Sequence, residues 1–165
     1  CQLDSFPKLS KPILIERIDD WLLPYIANVT TMAQLKKVAL FDLLKNTLSW
    51  QDQQLLDQQA PTQYTTPSNK TVAIVYDKQQ GPTVSVILQE LFGVTESPTL
   101  AQGRVALRFE LLSPARRPIQ TTSDLGNFWK SSYFEVAKEM RGRYPKHRWP
   151  EKPLLEKPGK SFKKR

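Results

Sequence analysis

The sequence holds a single cysteine, Cys1, and a single histidine, His147, in 165 residues. A zinc site draws three or four ligands from Cys, His and carboxylates at short spacing, so no Cys/His zinc site can be assembled. A lone cysteine also excludes an internal disulfide framework and fits a reducing compartment. Glycine is as sparse: Gly81, Gly93, Gly103, Gly126, Gly142 and Gly159 all stand far apart. A phosphate-cradling loop needs glycines close together so that successive amides converge on the anion, and no Lys-Ser/Thr pair follows one in such a context. Nucleotide hydrolysis by a P-loop route is therefore excluded for this chain. No apolar run approaches the roughly eighteen residues that span a bilayer, and no charged-then-apolar leader stands at the start. The chain opens on Cys1 rather than Met, as a fragment or a processed product would; a mature bacterial lipoprotein also begins with Cys.

Other chemistry is missing as well. A Ser-His pair would have to use His147, which lies between Lys146 and Arg148 in a proline-broken stretch. Both cations depress its proton affinity and make it a poor base. Glu135 and Glu139, four apart beside Lys138, read as a solvated helix face rather than an acid–base dyad. Asp124 is better placed as a helix cap than as a catalyst. Enzymatic activity is not expected of this chain by itself.

What the sequence does have is charge in one place. The formal charge is +8, yet residues 1–60 carry six Lys/Arg against seven Asp/Glu, and residues 61–112 carry four against four. Residues 113–165 carry fourteen against five, so the whole excess lies in the last third. Clustered cations suit a polyanion, where scattered ones only solubilise.

With 39% hydrophobic and 24% charged residues the chain is an ordinary globular one, a single domain or a small domain with an appendage. Residues 1–60 read as a helical lead-in. Ser10 and Pro12 open a helix carrying Leu14, Ile18, Trp21, Leu22 and Tyr25, which Pro24 must end or kink. Thr31 and Gln34 form a capping box, followed by Leu35, Leu40, Phe41, Leu44 and Leu48 at inward spacing, and Ser49 caps a last short helix. From Pro61 the period changes. "TQYTT" and "TVAIVYD" are strands about a Pro67–Asn69 turn, "GRVALRFELLS" alternates as a half-buried strand, and "RRPIQTTSD" supplies another with Pro118 at its start or on an edge. "GPTVSVILQELFG" reads as a helix, from Pro82 at its start to Gly93 at its stop. Ser123 and Asp124 cap one long helix from Leu125 to Tyr144, with Leu125, Phe128, Trp129, Val136 and Met140 inward. The fold class is α+β: an N-terminal helical segment, then over 61–153 a small, mostly antiparallel sheet with flanking helices. An OB-like barrel is one form the strands can take. Residues 154–165 form an extended, disordered basic tail.

The segment "RGRYPKHRWPEKP", Arg141–Pro153, sets cations beside Tyr144 and Trp149 between prolines. Two readings stay open. Cations neutralise phosphates while aromatics stack on unpaired bases, or the Trp packs back on its own domain and pins the chain end. "SPARRP", Ser113–Pro118, is a second basic cluster, or equally a tight turn with solvated arginines.

In order along the chain, "LQELFGVTESP" (Leu88–Pro98), "LLSPARRPIQTTSDLGNFW" (Leu111–Trp129) and "RGRYPKHRWPEKP" resemble the C-terminal domain of the HrpB family of bacterial ATP-dependent helicases, of the DEAH-box class. "DDWLLPYI" and "LSWQDQQLLDQQAPTQYTTPS" resemble its helical lead-in, so that the likeness covers Ile13 to Pro153. The family pattern places proline after the histidine of "YPKH"; Arg148 stands there instead, adding charge and removing a rigid position. The resemblance implies the non-catalytic tail of a cytoplasmic helicase whose motor lobes, with their ATP and Mg, lie outside this chain. It implies partners in single-stranded RNA or DNA and in those lobes, with no membrane. Joined to the charge pattern, it nominates Arg116, Arg117, Lys130, Arg141, Arg143, Lys146 and Arg148 as phosphate contacts, with Tyr144 and Trp149 as stacking groups. The alternative is a module that docks on the lobes or on a protein partner without touching nucleic acid.

Overall fold

The computed structural model describes residues 6–159. The chain divides into two compact units between Gln58 and Gln59.

The first unit is a series of short helices: α1 Lys11–Glu16, α2 Ile18–Trp21, α3 Leu23–Ile26, α4 Met32–Leu35, α5 Leu40–Asn46 and α6 Trp50–Gln59, the last ending at the boundary. The expected single helix from Ser10 breaks at Arg17 and again at Leu22, and Pro24 sits in the first turn of α3. There its missing amide proton costs nothing. The capping box forms as read: the Thr31 side chain accepts from the Gln34 amide, and the Gln34 side chain reaches back to the Thr31 amide. Ser49 Oγ likewise accepts from the Asp52 amide at 3.1 Å. Of the five apolar residues read as inward, Leu48 is buried and Leu35 and Leu44 are half-buried, but Leu40 and Phe41 are exposed. The break between α4 and α5 resets the helical phase and turns that pair outward.

The second unit is built on a five-stranded sheet, ordered β1-β2-β3-β6-β7: β1 Gln63–Thr65, β2 Thr71–Asp77, β3 Gly81–Ile87, β6 Arg108–Leu112 and β7 Pro118–Thr122. Three of its four pairings are antiparallel and β3·β6 is parallel. A separate hairpin joins β4 Thr99–Leu100 to β5 Val105–Ala106. The fold is α+β with a mostly antiparallel sheet, as expected. Among the described residues β1 and β7 are the edge strands and do not pair with each other.

One expectation is overturned outright. "GPTVSVI" is β3, not a helix, and Pro82, Val84 and Val86 turn inward on a period of two. β-Branched Thr83, Val84, Val86 and Ile87 fit a pleated surface better than a helix. Only Leu88–Leu91 turns, as one buried 3₁₀ segment. It begins the connection that carries the chain from the end of β3 to the parallel β6, a crossover that no tight turn can make. The strand expected at "GRVALRFELLS" is split at Leu107, whose amide bonds the Pro98 carbonyl at 3.0 Å.

The last helix is also split, into α7 Leu125–Lys130 and α8 Tyr133–Arg143. Asp124 caps α7 through the Asn127 amide at 2.9 Å. Ser131 ends it, giving its hydroxyl to the Asn127 carbonyl at 2.7 Å and so competing with the helix ladder. The new phase buries Tyr133, Ala137 and Met140 and leaves Val136 half-buried. Phe92, Phe128, Trp129 and Tyr133 then meet edge-on or tilted, with centroids 5.0–6.4 Å apart. Edge-on pairs of this kind contribute about 0.5–1.5 kcal/mol each beyond their burial.

The chain end is ordered further than expected. Pro153–Leu155 forms a 3₁₀ turn, the Gly93 amide bonds the Pro153 carbonyl, and the Gly159 amide bonds the Gln89 carbonyl, each at 3.1 Å. Residues 154–159 thus follow a fixed course over the core rather than a disordered one; residues 160–165 of the expected tail lie outside the described residues.

Gly93 has φ +82°, and a Cβ there would meet the Glu156 carbonyl at 3.3 Å. Gly93→Ala therefore imposes both left-handed strain and a crowded contact, costing about 1–2 kcal/mol. Thermal unfolding followed by circular dichroism should show Tm lower by roughly 5 °C; an unchanged Tm would mean the crossing at Gly93 yields freely.

Candidate nucleic-acid interface

At the end of α8 the backbone leaves the helix at Tyr144, with φ −130° and ψ 63°, its amide still bonded to Met140. Helix propensity fails at Gly142, and Pro145 forbids continuation. The chain then turns, the His147 amide bonding the Tyr144 carbonyl at 3.1 Å. That turn brings Trp149 back against the core.

Trp149 is only 5% exposed. Its indole Nε1 donates to the Tyr144 carbonyl at 3.1 Å, and its own carbonyl accepts from Arg141 Nη2 at 3.0 Å. The neighbouring carbonyls are taken too: Arg148 O by Gln89 Nε2 at 3.2 Å and Pro150 O by Tyr133 Oη at 2.8 Å. The Arg148 guanidinium lies 5.5 Å from the centroid of the Phe92 ring, pairs with Glu156 Oε2 at 3.2 Å and donates to the Lys157 carbonyl at 2.9 Å. This is a belt rather than an open arm. A buried indole offers no face to a base, so the stacking role read for Trp149 is corrected. Arg141 and Arg148 have their guanidinium groups engaged in holding the belt. The basic character that marks them in the sequence serves the fold here.

The other basic cluster is a tight turn. The Ser113 amide bonds the Arg117 carbonyl and the Arg116 amide bonds the Ser113 carbonyl, each at 2.8 Å, with Arg116 at φ +59°. Ser113 is buried, while Arg116 and Arg117 are exposed. Tyr144 Oη approaches Ser113 Oγ at 3.4 Å. That contact joins two stretches thirty-one residues apart, so the turn bearing Arg116 and Arg117 borders the segment bearing Arg143 and Lys146. Tyr144 itself is half-buried. Lys146 is exposed, and Arg143 is exposed with a 3.0 Å pairing to Glu139 one helical turn back, an arrangement that water screens heavily. Lys130 is exposed at the end of α7, and among the described residues no contact joins it to this group.

Four partners of the belt escaped the sequence reading: Gln89, Phe92, Tyr133 and Glu156. Tyr133 was not singled out in the sequence, although its spacing from Trp129 and Val136 puts it beside the inner face of an unbroken helix as well. Glu90 is a further buried carboxylate, bonded by Ser68 and Lys70; it ties the Pro67–Asn69 turn to the 3₁₀ segment. Among the described residues no group of three Cys, His, Asp or Glu could hold a metal ion, and no helix is long and apolar enough to cross a membrane.

With this geometry in place, comparison with known proteins gives one consistent result. Residues 21–153 match the family model described as ATP-dependent helicase C-terminal, of the HrpB type. The chain is 44% identical over 160 residues to the ATP-dependent RNA helicase HrpB of Escherichia coli (strain K12), covering 97% of this chain and 20% of that protein. A crystal structure of the E. coli DExH-box NTPase HrpB superposes with TM-score 0.80 at 45% identity, over 92% of this chain and 19% of that one. A second crystal structure, of the Escherichia coli DEAH/RHA helicase HrpB, gives TM-score 0.65 at 43% identity, over 87% and 18%. The fold and motif order are those of a helicase C-terminal domain. The chain belongs to the HrpB-type ATP-dependent helicase C-terminal family, and it spans about a fifth of the length of the curated relative it matches.

Burial raises the Tyr133 phenol above its ordinary pKa, the nearby Glu156 pushing the same way and Arg141 opposing. A raised folded pKa means that Tyr133 contributes its full stability below the unfolded value of about 10 and loses it as pH climbs above that. Tyr133→Phe should cost about 0.5–1.5 kcal/mol at neutral pH through the lost bond to Pro150. It should also flatten the fall in urea-unfolding stability above about pH 10. An alkaline slope identical in the two proteins would place the titrating group elsewhere.

Proposed function

We propose that this chain is a non-catalytic accessory domain of an ATP-dependent helicase and that it offers a small basic surface to single-stranded nucleic acid. The ATP and Mg that power such an enzyme would be held by motor lobes outside this chain, in the bacterial cytoplasm. The surface is made by Arg116 and Arg117 on the turn after β6, Arg143 at the end of α8 and Lys146 just beyond it. The observation that carries this reading is the Tyr144–Ser113 contact, because it joins the stretches that bear two separate basic clusters. Cations so gathered act on neighbouring phosphates, and the gain comes largely from counterions released. RNA is favoured over DNA because the curated relative is named an RNA helicase.

A second reading has an observation of its own. Buried Trp149 and the paired Arg148 favour a segment whose first task is to clamp the domain, with its outer side available to dock on the motor lobes. The two readings differ in what the exposed cations contact.

Titration of fluorescein-labelled single-stranded RNA with the 165-residue chain across a salt series separates them. Binding should weaken steeply with salt, and changing Arg116, Arg117, Arg143 and Lys146 together to Ala should reduce the log–log slope by up to about three. An unchanged slope would move the contact elsewhere, and absence of salt-sensitive binding to RNA or DNA would favour the docking role.

A further inference from the structure

On the second unit, Lys130 borders a feature that the nucleic-acid reading does not use. Phe134, at the start of α8, is 52% exposed, and Leu155, in the C-terminal 3₁₀ turn, is 80% exposed. Between them runs a shallow groove of about 460 Å³ with Trp129 and Pro153 among its walls. Two large apolar side chains held in water a short distance apart form a patch of the sort that marks an interaction site. Phe134 touches the core by meeting the Tyr133 ring edge-on at 5.7 Å, and the Trp129 Nε1 is already bonded to the Val94 carbonyl at 2.8 Å.

The rim says what would sit there. Lys130 and Lys152 border the groove against the single carboxylate of Glu151. Lys138, one helical turn beyond Phe134, extends the positive side, while Glu135 faces water on a neighbouring position. A partner must therefore bring apolar side chains to the floor and carboxylates to the edge. The concave shape suits protruding side chains, as in helix-in-groove recognition.

We infer that the groove between Phe134 and Leu155 is a docking site for a short acidic amphipathic segment of a protein partner. The segment seats leucine- or phenylalanine-sized side chains over Trp129 and Pro153 and pairs its carboxylates with Lys130 and Lys152. This site is separate from the proposed nucleic-acid surface, since it shares none of Arg116, Arg117, Arg143 or Lys146.

The test uses the full chain and two capped amphipathic peptides, each with leucine along one face, one with glutamate and the other with lysine along the opposite face. Backbone amide shifts by NMR report binding and its place. The acidic peptide should shift amides of residues 129–134 and 151–155 and bind more tightly than the basic one. Phe134→Ala with Leu155→Ala, both exposed and so compatible with folding, should weaken it by about tenfold or more. Lys130→Glu with Lys152→Glu should reverse the preference between the peptides. Equal binding of both peptides, binding unaffected by the Phe134/Leu155 variant, or no binding of either overturns the inference. So does single-stranded RNA that shifts the same amides and is lost in that variant, which would make the groove a seat for bases.

Discussion

The indole of Trp149 closes the core of the second unit, and its setting explains the arrangement around it. Its carbonyl is held by Arg141, its Nε1 proton goes to Tyr144, and the carbonyls on either side are held by Gln89 and Tyr133. Burying a large aromatic contributes several kcal/mol only if its polar atom finds a partner. The tight turn after Tyr144 supplies that partner within the same segment. Tyr133 and Arg141 stand near the two ends of α8, and Gln89 lies on the 3₁₀ segment after β3. The belt therefore fastens α8 to the segment that follows β3.

That constraint also sorts the cations. Arginine is suited to two tasks that look alike in a sequence, gripping phosphate and gripping carbonyls over an aromatic ring. Arg148 does the second and Arg141 grips the Trp149 carbonyl, while Arg116 and Arg117 on their turn, Arg143 at the end of α8 and Lys146 beyond it are exposed. The described cations of the last third are thus not one surface. Arg141 and Arg148 fasten the fold, Lys130 and Lys152 border the apolar groove, and Arg116, Arg117, Arg143 and Lys146 lie on the two stretches that the Tyr144–Ser113 contact joins.

Local chemistry was the most legible level. The capping box at Thr31, the caps at Ser49 and Asp124, the turn at Pro67–Asn69 and strands β2, β6 and β7 follow from side-chain reach and β-branching over a few residues. What was not legible depended on phase. Ile87, Leu88, Leu91 and Phe92 fall on one helical face, yet Val84 and Val86 also alternate, and only pairing with β2 and β6 decides between the two periods. The serine pair at 131–132 broke a helix that its apolar spacing continued. At the interface the two open readings of "RYPKHRWP" could not be separated locally, because the partners of Trp149 and Arg148 include Gln89, Phe92 and Glu156. The order of long motifs made the family readable where single residues did not.

The order in which the chain is made gives the belt a further meaning. Gln89 must wait for Arg148, fifty-nine residues later in sequence, and the parallel β3·β6 pair must wait for the crossover between them. Contacts this distant are costly to close, and folding through them is slow. During synthesis the aromatic cluster and the sheet have no lid until Trp149 has left the ribosome. The second unit therefore completes its core only once residue 149 has emerged, and a nascent chain stalled before that point would display Phe92, Trp129 and Tyr133 to whatever chaperone or hydrophobic surface it met first.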